Sequence, residues 1–486
     1  MTVAMLLAIS PQLVLSFGLV IGLLLIAWRR SQLSIQLLTQ VILAAALMFN
    51  FKLLSIEAIQ ITPLLKVDHY GAFAFMLIAL SSLVVVSLSR RLLISTTEVH
   101  DEYYLLILLV TLGASVLVIS DHYASLFLGF ELISIALVGL VGYIRNSDLA
   151  VETGFKYLIL SASASSFMLL GIAFIYSQTG QLSFSLSSPV SGNEMAVNTH
   201  FYSIGILLFF TGIAFKLSLF PFHLWTPDVY QGSPTVITLL MATVSKVAMF
   251  VVLIKVWFAM KAIGGGQHES LSQLITIIAA LSMLAGNALA LLQTNVKRLL
   301  GYSSIAHMGY LLIVLQISSV KNIDFAWHSA LFYLAAYVLA NISIFTALII
   351  SSPQNDVYVD QWKGLFWQNK PLATLIIIAV LSFAGIPLTM GFIGKFYLLT
   401  FATQAKLWWL IAALIVGSGI ALFYYLRLIF VLFSSKNKVI SNTSDLIINN
   451  GIGLKITSQV FVISLIIIGV LFGLFPDTVS QYIVSH

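Results

Sequence analysis

Six basic side chains lie inside long apolar runs: Lys156, Lys216, Lys246, Lys255, Lys395 and Arg427. A lysine at bilayer depth costs about 2.5–3.5 kcal/mol on insertion scales, so it persists where it faces protein or water. Lys216 stands in GILLFFTGIAFKLSLFPFHLWTPDVYQGSP, residues 205–234, near the middle of an apolar stretch that meets Pro221 and runs on through His223 to Asp228. Proline lacks a donor N–H and clashes with the preceding turn, so a helix there is predicted to break. Glu131, in LFLGFELISIALVG, is a carboxylate in another apolar run. It is either a polar residue satisfied by neighbouring helices or a partner for Lys216. As a partner it would hold both groups ionised. A site of that kind exchanges a proton when the partner moves.

The other charged positions divide by depth. Lys246, in LLMATVSKVAMFVV, is too deep to reach the surface comfortably, whereas Lys255, nine residues on, is expected to extend its ammonium to the interface. Lys395 follows Pro387 by eight residues in AGIPLTMGFIGKFYLL, where GFIGK predicts a close backbone approach. Lys156 opens its run and is read equally as an interfacial anchor or a functional group, and Arg427 as an anchor near a helix end. His307 and His328 lie near mid-run, as packing residues or as relay groups that titrate near neutrality.

The elements that must position these groups are membrane helices. Of 486 residues, 60% are hydrophobic and 8% charged, against about 25% charged in soluble domains. Apolar runs of spanning length fall at 12–28, 33–51, 71–89, 103–120, 123–144, 153–177, 201–228, 233–259, 272–293, 299–319, 325–350, 371–400, 405–433 and 457–476. The fold class is therefore all-α: one polytopic membrane domain, 1–486, of about fourteen helices, with no segment read as a cleaved signal peptide. Twelve loop Lys and Arg on one side against five on the other place both termini outside by the positive-inside rule. The net charge of +6 reflects this topology and implies no nucleic-acid partner. With no cysteine, the chain holds no disulfide and no thiolate ligand. No nucleotide loop, catalytic triad or metal cluster is evident.

A repeat is visible at low similarity. KYLILSASASS from 156 resembles FYLAAYVLANIS from 332, an offset of 176 that also lays Glu131 over His307. Pro221 and Pro387 interrupt the seventh and twelfth runs at an offset of 166, which sets Ser382 against Lys216. Paired interrupted spans point to the ion pathway of a repeat-built transporter. Because five spans separate the corresponding segments, the second copy would be inverted.

FHLWTPDVYQGSPT at 222–235, VKRLLGYSSIAHMGY at 296–310 and AGIPLTMGFIGKFYLL at 384–399 closely resemble the antiporter-like subunit N family of bacterial proton-pumping NADH:quinone oxidoreductase, respiratory complex I. The resemblance covers nearly the whole chain. It implies fourteen helices in two inverted five-helix units, helices 4–8 at 103–259 and helices 9–13 at 272–433, with helices 7 and 12 broken, in the bacterial cytoplasmic membrane among other complex I subunits. It further implies a translocase subunit without redox chemistry or cofactor of its own, in a complex that uses NADH, FMN, iron–sulfur clusters and quinone. By the same resemblance Glu131 and Lys216 are the entry-side pair, Lys246 the central relay and Lys395 the second-half site, where sister subunits carry lysine or glutamate. GSPTVIT departs from the family's commoner GSPTPVT by one proline. The rival readings are an Mrp-type sodium/proton antiporter and a structural membrane subunit whose buried charges only fix helix register.

Overall fold

The computed structural model describes residues 3–28, 31–93, 101–144, 148–184, 199–262, 267–316, 323–351, 357–435 and 452–483. Among the loop charges used for orientation, Arg29, Arg30, Arg145, Lys321, Lys436 and Lys438 lie outside these residues, as do the side chains of Arg91, Lys261 and Lys455.

The chain is a polytopic helical membrane protein. A short α1 (Val3–Ala8) leads into α2 (Ser10–Trp28), α3 (Gln32–Phe51) and α4 (His69–Leu93). Then come α5 (Glu102–Val118), α6 (Tyr123–Val141), α7 (Asp148–Thr179), α8 (Thr199–Leu217), α9 (Trp225–Gly232), α10 (Thr235–Leu240) and α11 (Lys246–Ala262). The second half holds α12 (Gln267–Leu291), α13 (Val296–Leu311), α14 (Ile323–Ser351), the one-turn α15 (Leu365–Gln368), α16 (Lys370–Ala384), α17 (Met390–Gln404) and α18 (Trp408–Phe433). α19 (Ile452–Leu474) and α20 (Asp477–Ile483) close the described chain. Among the described residues, eleven helices are long and apolar enough to cross a membrane, twelve if the bent pair at α19 and α20 is one span. α5 and α16 are apolar but shorter, 17 and 15 residues, so fewer helices meet the length criterion than the fourteen apolar runs suggest. Not every element is helical: Ile59–Thr62 (β1) and Leu65–Val67 (β2) form an antiparallel hairpin that hydropathy alone did not reveal.

Helix starts follow local chemistry. Asn295 caps α13 by accepting from the N–H of Arg298, Asn369 caps α16 ahead of Pro371, and Thr389 caps α17 by accepting from Phe392. Each satisfies a donor that has no partner within its own helix. α10 and α11 form the centre of the bundle, since the most apolar window of Thr235–Met260 is wholly buried. They are joined by a π-helical turn, Met241–Ser245. Around this centre, α5 packs on α6 as α12 packs on α13, α7 packs on α8 as α14 packs on α16 and α17, and α11 contacts α5 as α18 contacts α12.

Candidate functional site

The apolar runs that hold Pro221 and Pro387 are each divided between two helices, and a lysine lies close to each gap. α8 stops at Leu217, residues 218–224 are not helical, and α9 begins at Trp225, so Lys216 sits in the last turn of α8 and not in the middle of a continuous helix. The chain turns at Ser218, whose φ is +62°, and passes through a cis Phe220–Pro221 bond. The break is anchored on α12 by the N–H of Phe220, which donates to Ser282 Oγ at 3.0 Å. Its His223 is buried, with the ring stacked on Phe220. In the second span α16 ends at Ala384, Gly385 and Leu388 take positive φ, and α17 starts at Met390. Pro387 lies in this gap, as predicted.

Lys216 is 1% exposed. Its Nζ donates to Ser134 Oγ at 2.9 Å and Tyr157 Oη at 2.8 Å, and lies 5.1 Å from the ring centre of Phe130. Glu131 is on the same helix as Ser134, three residues before it. No Glu131 oxygen reaches within the 4.0 Å of an ion pair with Lys216, and Glu131 Oε1 is buried without a hydrogen-bond partner. The expected direct pair is thus absent in this conformation: hydroxyls hold the ammonium, and the carboxylate stands apart.

Lys246, also 1% exposed, follows the π turn at once and donates to Ser304 Oγ, with the face of Tyr230 6.0 Å away. Ser304 shares a face of α13 with His307, three residues on. His307 bonds through Nδ1 to Tyr333 Oη at 2.7 Å and through Nε2 to Tyr425 Oη at 3.3 Å, and Tyr425 also bonds Ser303. Lys395, 7% exposed, donates to the carbonyl of Ala384 at 2.9 Å and stands over Tyr310 at 5.2 Å. The close approach predicted from GFIGK is present. A Cβ on Gly391 would lie 1.9 Å from Ser382 O, and one on Gly394 2.9 Å from Tyr333. Tyr310 is fixed in turn by Asn287, which donates to its Oη at 2.8 Å and accepts from Tyr424 at 2.9 Å.

Other sequence candidates lie elsewhere. Lys156 is half-exposed, paired with Glu152 at 2.6 Å and 3.9 Å from Asp228, which Arg298 binds at 2.6 Å. Lys297, counted among the loop charges, is buried and donates to Ser233 O at the end of α9, where helix carbonyls favour a cation. Lys255 does not extend to water: it pairs with Asp68 at 2.9 Å. His328 packs against the rings of Phe332 and Tyr397. The hydroxyls of Ser134, Tyr157, Ser304, Tyr333 and Tyr425 were not singled out in the sequence. The usable signal was spacing, since Ser134 follows Glu131 and Ser304 precedes His307 by three. Among the described residues, no group of three or more His, Asp or Glu is placed to hold a metal.

The structure is thus a polytopic helical membrane subunit with buried lysines along its interior. Residues 120–421 match the model of the family described as NADH:quinone oxidoreductase/Mrp antiporter, transmembrane, and the chain belongs to that family. It is an antiporter-like membrane subunit of the NADH:quinone oxidoreductase and Mrp kind. A chain of respiratory complex I from Thermus thermophilus, solved with bound aureothin, is 28% identical with a TM-score of 0.80, the match covering 97% of this chain and 98% of that one. A chain of the archaeal membrane-bound sulfane sulfur reductase superposes at 0.83 with 22% identity, covering 99% and 96%. One from the Mrp complex of Dietzia sp. DQ12-45-1b superposes at 0.82 with 17% identity, again over 99% and 96%. These last two likenesses concern the fold.

Proposed function

We propose that the chain conducts protons as a subunit of an NADH:quinone oxidoreductase in a bacterial cytoplasmic membrane, with both termini outside. The observation that carries this reading is that Lys216, Lys246 and Lys395 are buried, yet each is held by hydroxyl or carbonyl oxygens and, among the described residues, none is within ion-pair distance of a carboxylate. Neutral oxygens accept from an ammonium and also tolerate an amine, so such a lysine can gain and lose a proton without its surroundings coming apart. The Thermus thermophilus complex I chain, alike over almost its full length, supports the assignment to an NADH-linked complex.

In this reading residues 103–259 and 272–433 form two half-channels, a division that the matching helix contacts of the two halves support. Glu131 approaches Lys216 to stabilise its proton and withdraws to release it. The proton passes by way of Lys246 and Ser304 to His307 and on to Lys395. Water completes the wire, because single side chains do not bridge helix axes about 8–10 Å apart. Electron transfer from NADH to quinone occurs on other subunits, and the iron–sulfur clusters must be held there, since this chain has no cysteine.

The test is NADH-driven proton uptake by vesicles carrying the whole complex. Lys216→Ala should leave the complex assembled and remove most of the uptake; undiminished uptake would refute the role. The family description also covers Mrp antiporters. Sodium-dependent proton exchange by the purified chain without an electron donor would favour that reading instead.

A further inference from the structure

Lys255 lies nine residues beyond Lys246 on α11, about 13.5 Å along the axis at 1.5 Å per residue. Every residue between them, Val247 to Ile254, is apolar and at most 2% exposed. At the far end of this dry stretch the Lys255 ammonium joins three helices. It sits 2.9 Å from Asp68 Oδ2 and donates to Val118 O, the last carbonyl of α5, at 2.7 Å. Asp68 Oδ1 accepts from the N–H of Gly71 in the first turn of α4 at 2.6 Å. Each charge is at the helix end that favours it, the carboxylate at the N-terminus of α4 and the ammonium at the C-terminus of α5. The side chains are 10% and 21% exposed. There is no slack: a Cβ on Gly71 would lie 2.8 Å from Val118 O. Next to Asp68, Tyr70 donates to Asp324 of α14 at 3.0 Å and stacks on Trp327, extending the junction to a fourth helix. At the opposite end of the bundle, the Asp228, Lys156 and Arg298 side chains are 43%, 49% and 29% exposed. The charged groups at the Asp228 end are thus the more exposed, and the pair at the Lys255 end is the more buried.

We infer that the Asp68–Lys255 pair is a seal, closing the first unit at the end away from Asp228 so that protons on Lys246 go on to the second unit and do not leak out of the first. This rests on the proton-conduction reading. Removing one charge leaves the other buried and unmatched, which destabilises the closed arrangement. Asp68→Asn is the sharpest probe, because its amide oxygen still accepts from Gly71 while the charge is gone. In vesicles of the assembled complex without NADH, the collapse of an imposed pH gradient should quicken about tenfold, equivalent to about 1.4 kcal/mol less free energy holding the seal shut. Gly71→Ala should leak similarly by pushing α4 off α5. Adding Lys216→Ala to Asp68→Asn should abolish the extra leak. Wild-type gradient decay in both single variants, or a leak that survives the added Lys216→Ala, overturns the seal. Full pumping by Lys216→Ala alone would instead overturn the conduction reading, so the two failures are told apart.

Discussion

The two helix breaks hold their lysines by different means. At the first, residues 218–224, the ammonium of Lys216 is held by side-chain hydroxyls from α6 and α7, with the carboxylate of Glu131 nearby and unbonded at one oxygen. An apolar cavity of about 280 Å³, lined by Leu219, Pro221, Leu253 and Ile275 among others, lies beside the break. At the second, residues 385–389, Lys395 bonds a main-chain carbonyl of its own span, and the space between His307, Ser382 and Gly391 is about 10 Å³. That is room for at most one water, which needs about 10–15 Å³. The first break has side-chain partners and space beside it; the second is fitted against backbone. The difference suits a site switched by a neighbouring charge and a site that passes on what it receives.

Glutamate substitutions test this contrast most severely. Lys216→Glu puts a second carboxylate near Glu131 and removes the donor to two hydroxyls. NADH-driven uptake should fall about a hundredfold or more, the lower end of what a positioned proton-transfer group contributes. Lys395→Glu has no carboxylate in contact among the described residues, and its protonated form can still donate to Ala384 O, so a smaller loss is expected. Equal losses in the two variants would erase the distinction.

Next in size is Gly391→Ala. Its Cβ would be driven to 1.9 Å from Ser382 O, and overpacking of this kind costs about 1–3 kcal/mol. A fall in the unfolding midpoint with retained assembly is expected. Wild-type stability would show that the second break yields as easily as the first.

Glu131→Gln should be milder for the fold, because Glu131 Oε1 has no hydrogen bond to lose. Pumping should drop about tenfold, equivalent to about 1.4 kcal/mol, with the unfolding midpoint unchanged. If the midpoint falls instead, the carboxylate holds the structure together and does not switch the first break.

The same contrast explains what was legible in the sequence. Both breaks were readable because proline acts through its own backbone, and Lys216, Lys246 and Lys395 because a cation in an apolar run is conspicuous. Glu131 was legible as a residue but not as an unbonded one, since a side-chain distance across helices depends on packing that hydropathy does not encode. Lys255 was misread for the same reason. Its depth along α11 suggested the interface, but Asp68 arrives from just ahead of α4, nearly two hundred positions earlier. Tyr333, Tyr425 and Asn287 were hidden because tyrosine and asparagine in an apolar helix are common, and only the assembled bundle shows which of them face His307 and Tyr310.

The smallest effect is expected on the segment that leads into the second break. Asp360 and Lys363 pair at 2.7 Å, with side chains 77% and 48% exposed. The hydrogen bond and charge of Lys363 hold the Asp360 carboxyl below its usual range. A lowered carboxyl contributes stability that is fully present above the ordinary carboxylate range and is lost as pH falls through the lowered value. Near neutral pH, Asp360→Asn should therefore remove the pair's whole contribution, which solvent screening keeps below about 1 kcal/mol. At strongly acid pH the variant and the parent should converge. A larger change, or one that affected pumping, would mean that the second break depends on a surface charge, and its fit against backbone would no longer separate it from the first.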